Sequence, residues 1–239
     1  SSLAQVRASG SFLGGVGLGT RLEPNCSTRM LARVPWLAVL LGLSWVSEPL
    51  AKKFKLRIYV DKLNGIEGHK GNFSLMIYEQ WGEHGAHRVR LIDEYKLWWN
   101  SRIYRAVPGK VLQFGIPGEP KVAQKWKHET FTDDPPVGIS NTKGCMAFKR
   151  QGYNTRTVEV YLSLKDNSEM DKLGITPVGC IYDGWETVEQ LYYKYGEEPD
   201  HFGIPWKFGN QYFDYEFPKL TVIEKTEIYD DERPFHEDF

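Results

Sequence analysis

Cysteine is scarce in this 239-residue chain, which holds only Cys26, Cys145 and Cys180. Three scattered cysteines are too few for a disulfide framework, and without a CxxC pair they make no zinc site, so Cys145 and Cys180 read as small core residues. A surplus of charge is missing too. The formal net charge is -1, whereas a nucleic-acid binder needs a clustered basic face to displace counterions from phosphates; no nucleic-acid partner is expected. The histidines of GEHGAH, His84 and His87, have no cysteine or further histidine nearby and read as surface residues. The acidic KDNSEMD stretch, residues 165–171, lacks the central Gly and closing Glu of a calcium loop, so neither a metal nor any other cofactor is expected. Glycines are grouped as GGVGLG near the start, but no strand precedes them within a βαβ unit, which a phosphate cradle requires. No internal repeat is visible.

What is present is the composition of a globular protein, 41% hydrophobic and 26% charged, in a length that holds one ordinary domain plus appendages. The first fifty residues carry four arginines against two glutamates, and the acidity collects at the other end, in Glu227, Asp230, Asp231, Glu232, Glu237 and Asp238, as a solvated tail. Between Arg33 and Glu48 runs the apolar VPWLAVLLGLSWVS. It is shorter than the about 20 residues of a full crossing, but extended to Ala51 it approaches the lower limit, with Trp36 and Trp45 placed as an aromatic belt. A signal-peptide core is the bland reading of such a run, since Arg29, Met30 and Arg33 form a plausible charged flank. We expect a retained anchor over residues 34–51, transmembrane or interfacial, after an extension of residues 1–33. The Ser-, Ala- and Gly-rich, acid-poor start resembles an organelle-targeting segment, which points to a plastid thylakoid or mitochondrial inner membrane.

From Phe54 onward the pattern is strand-rich. FKLRIYV and NFSLMIY alternate apolar and polar residues around the turn-rich NGIEGHKG. Helical spacing follows over residues 86–98, then short strands at 103–107, 111–115, 144–148 and 158–164, a second helix at 184–195 and a last strand within FPKLTVIEKTEIY. Many short strands with few helices imply a closed barrel.

The pieces IYRAVPGKVLQFGIPGEP, SNTKGCMAFKRQGYNTRTVEVYLSL, LGITPVGCIYDGWETVEQLY and GNQYFDYEFPKLTVIEKTEIY, in this order, resemble a cyclophilin of the divergent bacterial-type branch over about residues 54–229. The resemblance implies a mainly β fold, an eight-stranded antiparallel barrel capped by two helices over residues 52–229, followed by the tail at 230–239. It also implies peptidyl-prolyl cis-trans isomerisation. Arg105 takes the place of the catalytic arginine, Gln113 that of the glutamine that binds substrate backbone, and Asn154 that of the asparagine whose loop grips the peptide. Val111, Tyr161, Met170 and Ile175 take positions of the peptide-binding pocket. Without the family, Arg105 and Gln113 read simply as a pair within a barrel wall.

Other positions of that pocket have changed. Lys110 stands where the family has Phe, and Glu169 falls where an aromatic or Arg is expected. Lys149, Arg150 and Gln151 replace mostly small residues in the neighbouring groove, and Glu159 replaces a substrate-facing Gln. Losing a buried aromatic wall removes about 1.5–3 kcal/mol of apolar contact, about ten-fold or more in affinity, unless Lys110 turns outward. Glu159 is expected to pair with Arg105 or Lys110. Two functions follow: a cyclophilin-fold accessory subunit of a membrane complex with weak or lost activity, its partners the other subunits, or an active membrane-anchored foldase acting on proline-containing polypeptides.

Overall fold

The computed structural model describes residues 52–230. The extension, the anchor and residues 231–239 of the tail lie outside them, and no helix among the described residues is long and apolar enough to cross a membrane. In chain order the elements are β1 (Lys53–Asp61), β2 (Gly71–Tyr78), α1 (Glu83–Glu94), β3 (Ser101–Arg102), β4 (Arg105–Val107), β5 (Val111–Phe114), α2 (Pro120–Trp126), β6 (Cys145–Phe148), β7 (Val160–Ser163), β8 (Gly179–Asp183), α3 (Trp185–Glu189), α4 (Ile204–Phe208), α5 (Asn210–Glu216) and β9 (Val222–Asp230).

The nine strands among the described residues pair antiparallel in one sheet, in the order β3-β9-β1-β2-β8-β6-β7-β5-β4. Only Ile103 and Tyr104 separate β3 from β4, so both ends of the order belong to one stretch of chain and the sheet curls round upon it. The expected count of eight becomes nine because this stretch is split into two short strands.

The alternation of FKLRIYV sends Phe54, Leu56, Ile58 and Val60 inward, where they are buried, and pairs them across β2 in the register Phe54↔Ile77, Leu56↔Leu75 and Ile58↔Phe73. The inner layer of the curled sheet is thus written by period-two sequence. Helix α1 adds Ala86, Val89 and Ile92 to that layer. It ends four residues before the expected Trp98, because Lys96 and Asn100 take left-handed backbone angles, φ 55° and 54°, which an α-helix does not tolerate. Trp98 still reaches the core from the turn, packed edge-on against Phe114 and donating its Nε1–H to the Val158 carbonyl at 3.0 Å. The second expected helix shortens to α3, although Leu191 and Tyr192 beyond it remain buried. Strand β8 and the short helices α2, α4 and α5 add to the expected elements.

The cysteine expectation is corrected. Cys145 and Cys180 form a disulfide, because β6 and β8 place them directly opposite one another in register, a pairing no spacing rule shows. Joining residues 35 apart constrains the unfolded chain. The Cys145→Ala/Cys180→Ala variant is therefore expected to lose about 2–4 kcal/mol, read as a lower denaturation midpoint with a somewhat higher m-value, because the unlinked unfolded chain is less compact. An unchanged midpoint would show that strand pairing alone fixes this contact.

Candidate active site on the barrel wall

Antiparallel register puts directly opposed residues on one face. Across β4, β5, β7 and β6 the pairs Arg105↔Gln113, Gln113↔Tyr161 and Tyr161↔Ala147 form a continuous row. The residues between them, Ala106, Leu112, Leu162 and Met146, point to the core, so the row lies on the outer wall. Two positions along, Val107 and Val111 share that face. The turn joining β4 to β5 is set by Pro108 and by Gly109 at φ 62°, with the Lys110 N–H donating to the Val107 carbonyl at 3.0 Å; Pro followed by a positive-φ Gly is what such a turn demands.

An apolar patch separate from the core gathers beside Arg105. Val111, Ala147 and Tyr161 form it, with Val107, Met170 and Ile175 packed against them. The structure therefore brings Val111, Tyr161, Met170 and Ile175 together, as the sequence suggested. Asn141, which sequence reasoning did not single out, ties the patch together. Its side chain accepts the Tyr161 hydroxyl at 3.2 Å and donates to the Ile175 carbonyl and to Asp171, each at 2.7 Å. Burial, and then the nearby Asp171 carboxylate, push the Tyr161 hydroxyl well above its ordinary pKa, so it acts as a hydrogen-bond donor.

Polar groups lock the other side of the row. Arg105 donates through Nη1 to Gln113 Oε1 at 3.4 Å and through Nη2 to Glu197, while its Nε–H has no acceptor among the described residues. Gln113 in turn donates to Glu159 Oε1 at 3.2 Å. The Gln113 amide is thereby oriented, its oxygen toward Arg105 and its nitrogen toward Glu159.

The expected partner of Glu159 is corrected. Glu159 meets neither Arg105 nor Lys110; it accepts from the Tyr104 hydroxyl at 2.5 Å and from Lys149 Nζ at 3.0 and 3.2 Å. Lys149 follows β6 and Glu159 precedes β7, where the Lys149 N–H donates to the Glu159 carbonyl at 2.9 Å, so the pairing of these two strands sets the match. The carboxylate on Arg105 and Lys110 is Glu197, with Lys110 Nζ at 3.4 Å. Sequence reasoning missed it because Glu197 belongs to a loop delivered by a backbone bond, the Ala106 N–H to the Gly196 carbonyl at 3.1 Å. The hydrogen bond from Arg105, its charge, and then Lys110 hold the Glu197 carboxyl below its ordinary pKa. A depressed pKa means this pairing is fully present above the ordinary glutamate range and is lost as pH falls through the lowered value.

Lys110 is not in the pocket wall. It closes the turn before β5 with its side chain 54% exposed, so its ammonium snorkels outward rather than crowding the patch. Glu169 is exposed and lies 3.9 Å from Lys165. Gln151 is exposed on the loop after β6, its N–H bonded to Thr155 Oγ1. Asn154, at φ 56°, stands off the row. Its backbone N–H donates to the Asp133 carboxylate at 3.0 Å and its side chain accepts the Asp133 N–H at 2.8 Å, so this amide is already engaged within the chain. Asp133 also accepts from Arg150 Nη1 at 2.9 Å and forms an ion pair with Arg156 at 2.9 Å. Its neighbour Asp134 accepts the His84 and Gly85 amides at the start of α1, the capping that Gly82 itself does not supply. Among the described residues no group of His, Cys, Asp and Glu is arranged to hold a metal ion.

Residues 65–200 match the sequence model of the cyclophilin type peptidyl-prolyl cis-trans isomerase/CLD family. The chain belongs to the cyclophilin family. Among solved structures it is similar to a cyclophilin type peptidyl-prolyl cis-trans isomerase of Cryptosporidium parvum, with a TM-score of 0.54 and 14% identity over 76% of this chain and 99% of that one. The same parasite protein crystallised in the presence of the dipeptide Ala-Pro gives a TM-score of 0.52 at 14% identity, over 74% and 99% of the two chains. No curated protein matches the sequence. The cyclophilin fold is thus established, and at this identity the structural likeness speaks for fold alone.

Proposed function

We propose that the chain binds proline-containing polypeptides on the outer wall at Arg105 and catalyses rotation about the X-Pro bond. The observation that carries this reading is the row itself, Arg105 and Gln113 oriented beside the Val111, Tyr161, Met170 and Ile175 patch. An X-Pro bond prefers trans by only about 0.5–1 kcal/mol, but amide resonance raises a barrier of about 18–20 kcal/mol to rotation. No covalent bond need break. A guanidinium N–H directed at the prolyl nitrogen stabilises its pyramidal form, where the lone pair has left the amide, while the patch holds the ring and Gln113 holds backbone. Arg105 keeps donor capacity for this, since a guanidinium has five N–H groups.

A second reading rests on the ion pair between Arg105 and Glu197, which occupies the cation with an internal partner. On this reading activity is weak or lost, and the chain serves as an accessory subunit of an organelle membrane complex, anchored through residues 34–51. The discriminating measurement is exchange spectroscopy on a proline peptide with the full chain and its Glu197→Gln variant. Catalysed exchange in the wild type, raised by up to about five-fold once the exposed pair is broken, supports the isomerase. Absence of exchange in both removes the isomerase reading.

A further inference from the structure

Strand β9 has one partner along its whole length and another along only its first two residues. β1 pairs with it from Val222 to Asp230, whereas β3 meets only Val222 and Ile223, with one further bond from the Asn100 N–H to the Glu224 carbonyl. Beyond Glu224 that second edge has no partner strand among the described residues.

Backbone direction shows which groups the edge exposes. The peptide groups of successive residues in an antiparallel strand point alternately to its two neighbours. The Lys52 carbonyl accepts the Glu79 N–H on the β2 side, so the even residues of β1 face β2, and Lys55, Arg57 and Tyr59 face β9. Opposite them stand Tyr229, Glu227 and Lys225. The N–H and C=O groups of Thr226 and Ile228 therefore point away from β1, along a free edge that is a template for one more strand. A groove of 390 Å³ whose walls include Ile228, Lys96 and Trp99 runs beside it.

We propose that this edge is a docking site for the chain's own residues 233–238, which fold back from β9 as a hairpin and add a tenth strand. The inference does not depend on the isomerase reading. With Asp231 and Glu232 as a two-residue loop, a common hairpin connection, Ile228 falls opposite Phe235, Glu227 opposite His236, Thr226 opposite Glu237 and Lys225 opposite Asp238. Lys225 then faces an acid, and Glu227 faces an imidazole that can donate to it. Ile228 packs on the core side of β9, so Phe235 shares that side and brings its ring to the groove beside Trp99.

Pro234 makes this register specific. It falls opposite Tyr229, whose peptide groups face β1, so the missing N–H of the proline points away from β9, an orientation in which an edge strand accepts Pro. A slip of one residue either way turns that gap toward β9. A two-residue tether also presents the segment at a high effective concentration, which a second copy of the chain does not match. The edge is then closed by the chain itself and not left to pair with another protein's strand.

The test is amide hydrogen exchange, resolved by residue, on the full chain and on a chain cut after Asp230. In the full chain the Thr226 and Ile228 amides are expected to exchange about ten-fold or more slowly than in the cut one. The Lys225 and Glu227 amides face β1, stay protected in both, and report an intact fold. Glu237→Pro removes an N–H that faces β9 and should abolish the added protection, whereas His236→Pro, at an outward position, should keep it. Glu232→Gly supplies the glycine that a tight hairpin turn prefers and should deepen it. Equal exchange of Thr226 and Ile228 in the full and cut chains overturns the proposal, as does an equal effect of the two proline variants. Protection that survives the cut but falls on dilution also overturns it, and assigns the edge to a second copy.

Discussion

Arg105→Ala is expected to lower kcat/KM for a prolyl peptide by about a hundred-fold or more, the usual cost of removing one preorganised donor aimed at the reacting centre. The effect should fall mainly on kcat, because the apolar patch proposed to hold the ring is built from other residues. The fold should survive. The Arg105 side chain is 20% exposed, and Glu197 keeps Lys110 as a partner after the truncation. Arg105→Lys keeps a charge but loses the planar fork that reaches Gln113 and the substrate at once, so it should fall between the two. Progress curves or exchange spectra on one peptide for the three proteins are sufficient. An Ala variant as fast as the wild type would remove Arg105 from the mechanism.

Glu159→Ala is expected to cost about 3–5 kcal/mol of folding stability. The Lys149–Glu159 pair has side chains only 17% and 8% exposed, and removing the carboxylate leaves a buried ammonium and the buried Tyr104 hydroxyl without their acceptor. It also frees the Gln113 amide, so stability and site geometry are lost together. Denaturant titration measures the loss. The double variant Glu159→Gln/Lys149→Met should recover much of it, since neutral replacement of both partners leaves no unpaired charge and the Gln amide oxygen can still accept from the Tyr104 hydroxyl. A single variant within about 1 kcal/mol of wild type would mean that water, not the protein, solvates this pair.

The inner layer of the barrel could be read directly from the chain, because β1 and β2 face water on one side and their period-two alternation records it. The site residues on β4, β5 and β7 were readable for a different reason: a family pattern marks Arg105, Gln113, Val111 and Tyr161, and register then aligns them. Partners were not readable. Which carboxylate meets Arg105 depends on a single backbone bond from Ala106 to Gly196, and which cation meets Glu159 depends on strand order. Position in sequence says little about either. The same holds for the disulfide, where two cysteines 35 residues apart become neighbours only after β6 and β8 pair. Lys110 stands where the family has Phe, yet as the closing residue of a Pro-Gly turn it is a surface lysine, its side chain 54% exposed.

The stretch from Ser101 to Val107 is the seam of the sheet, and this dictates when the site can exist. Arg102 pairs with Val222 of β9, while Arg105 pairs with Gln113 of β5. The stretch that carries the arginine is therefore anchored at both its ends only once the C-terminal strand has been synthesised and has closed a loop of more than a hundred residues onto β3, a late event for a chain rich in long-range contacts. A nascent chain emerging from the ribosome has its 13 prolines but no completed wall on which to act on them. Whatever rotation this protein performs, it performs on other chains, after its own folding has been finished without its help.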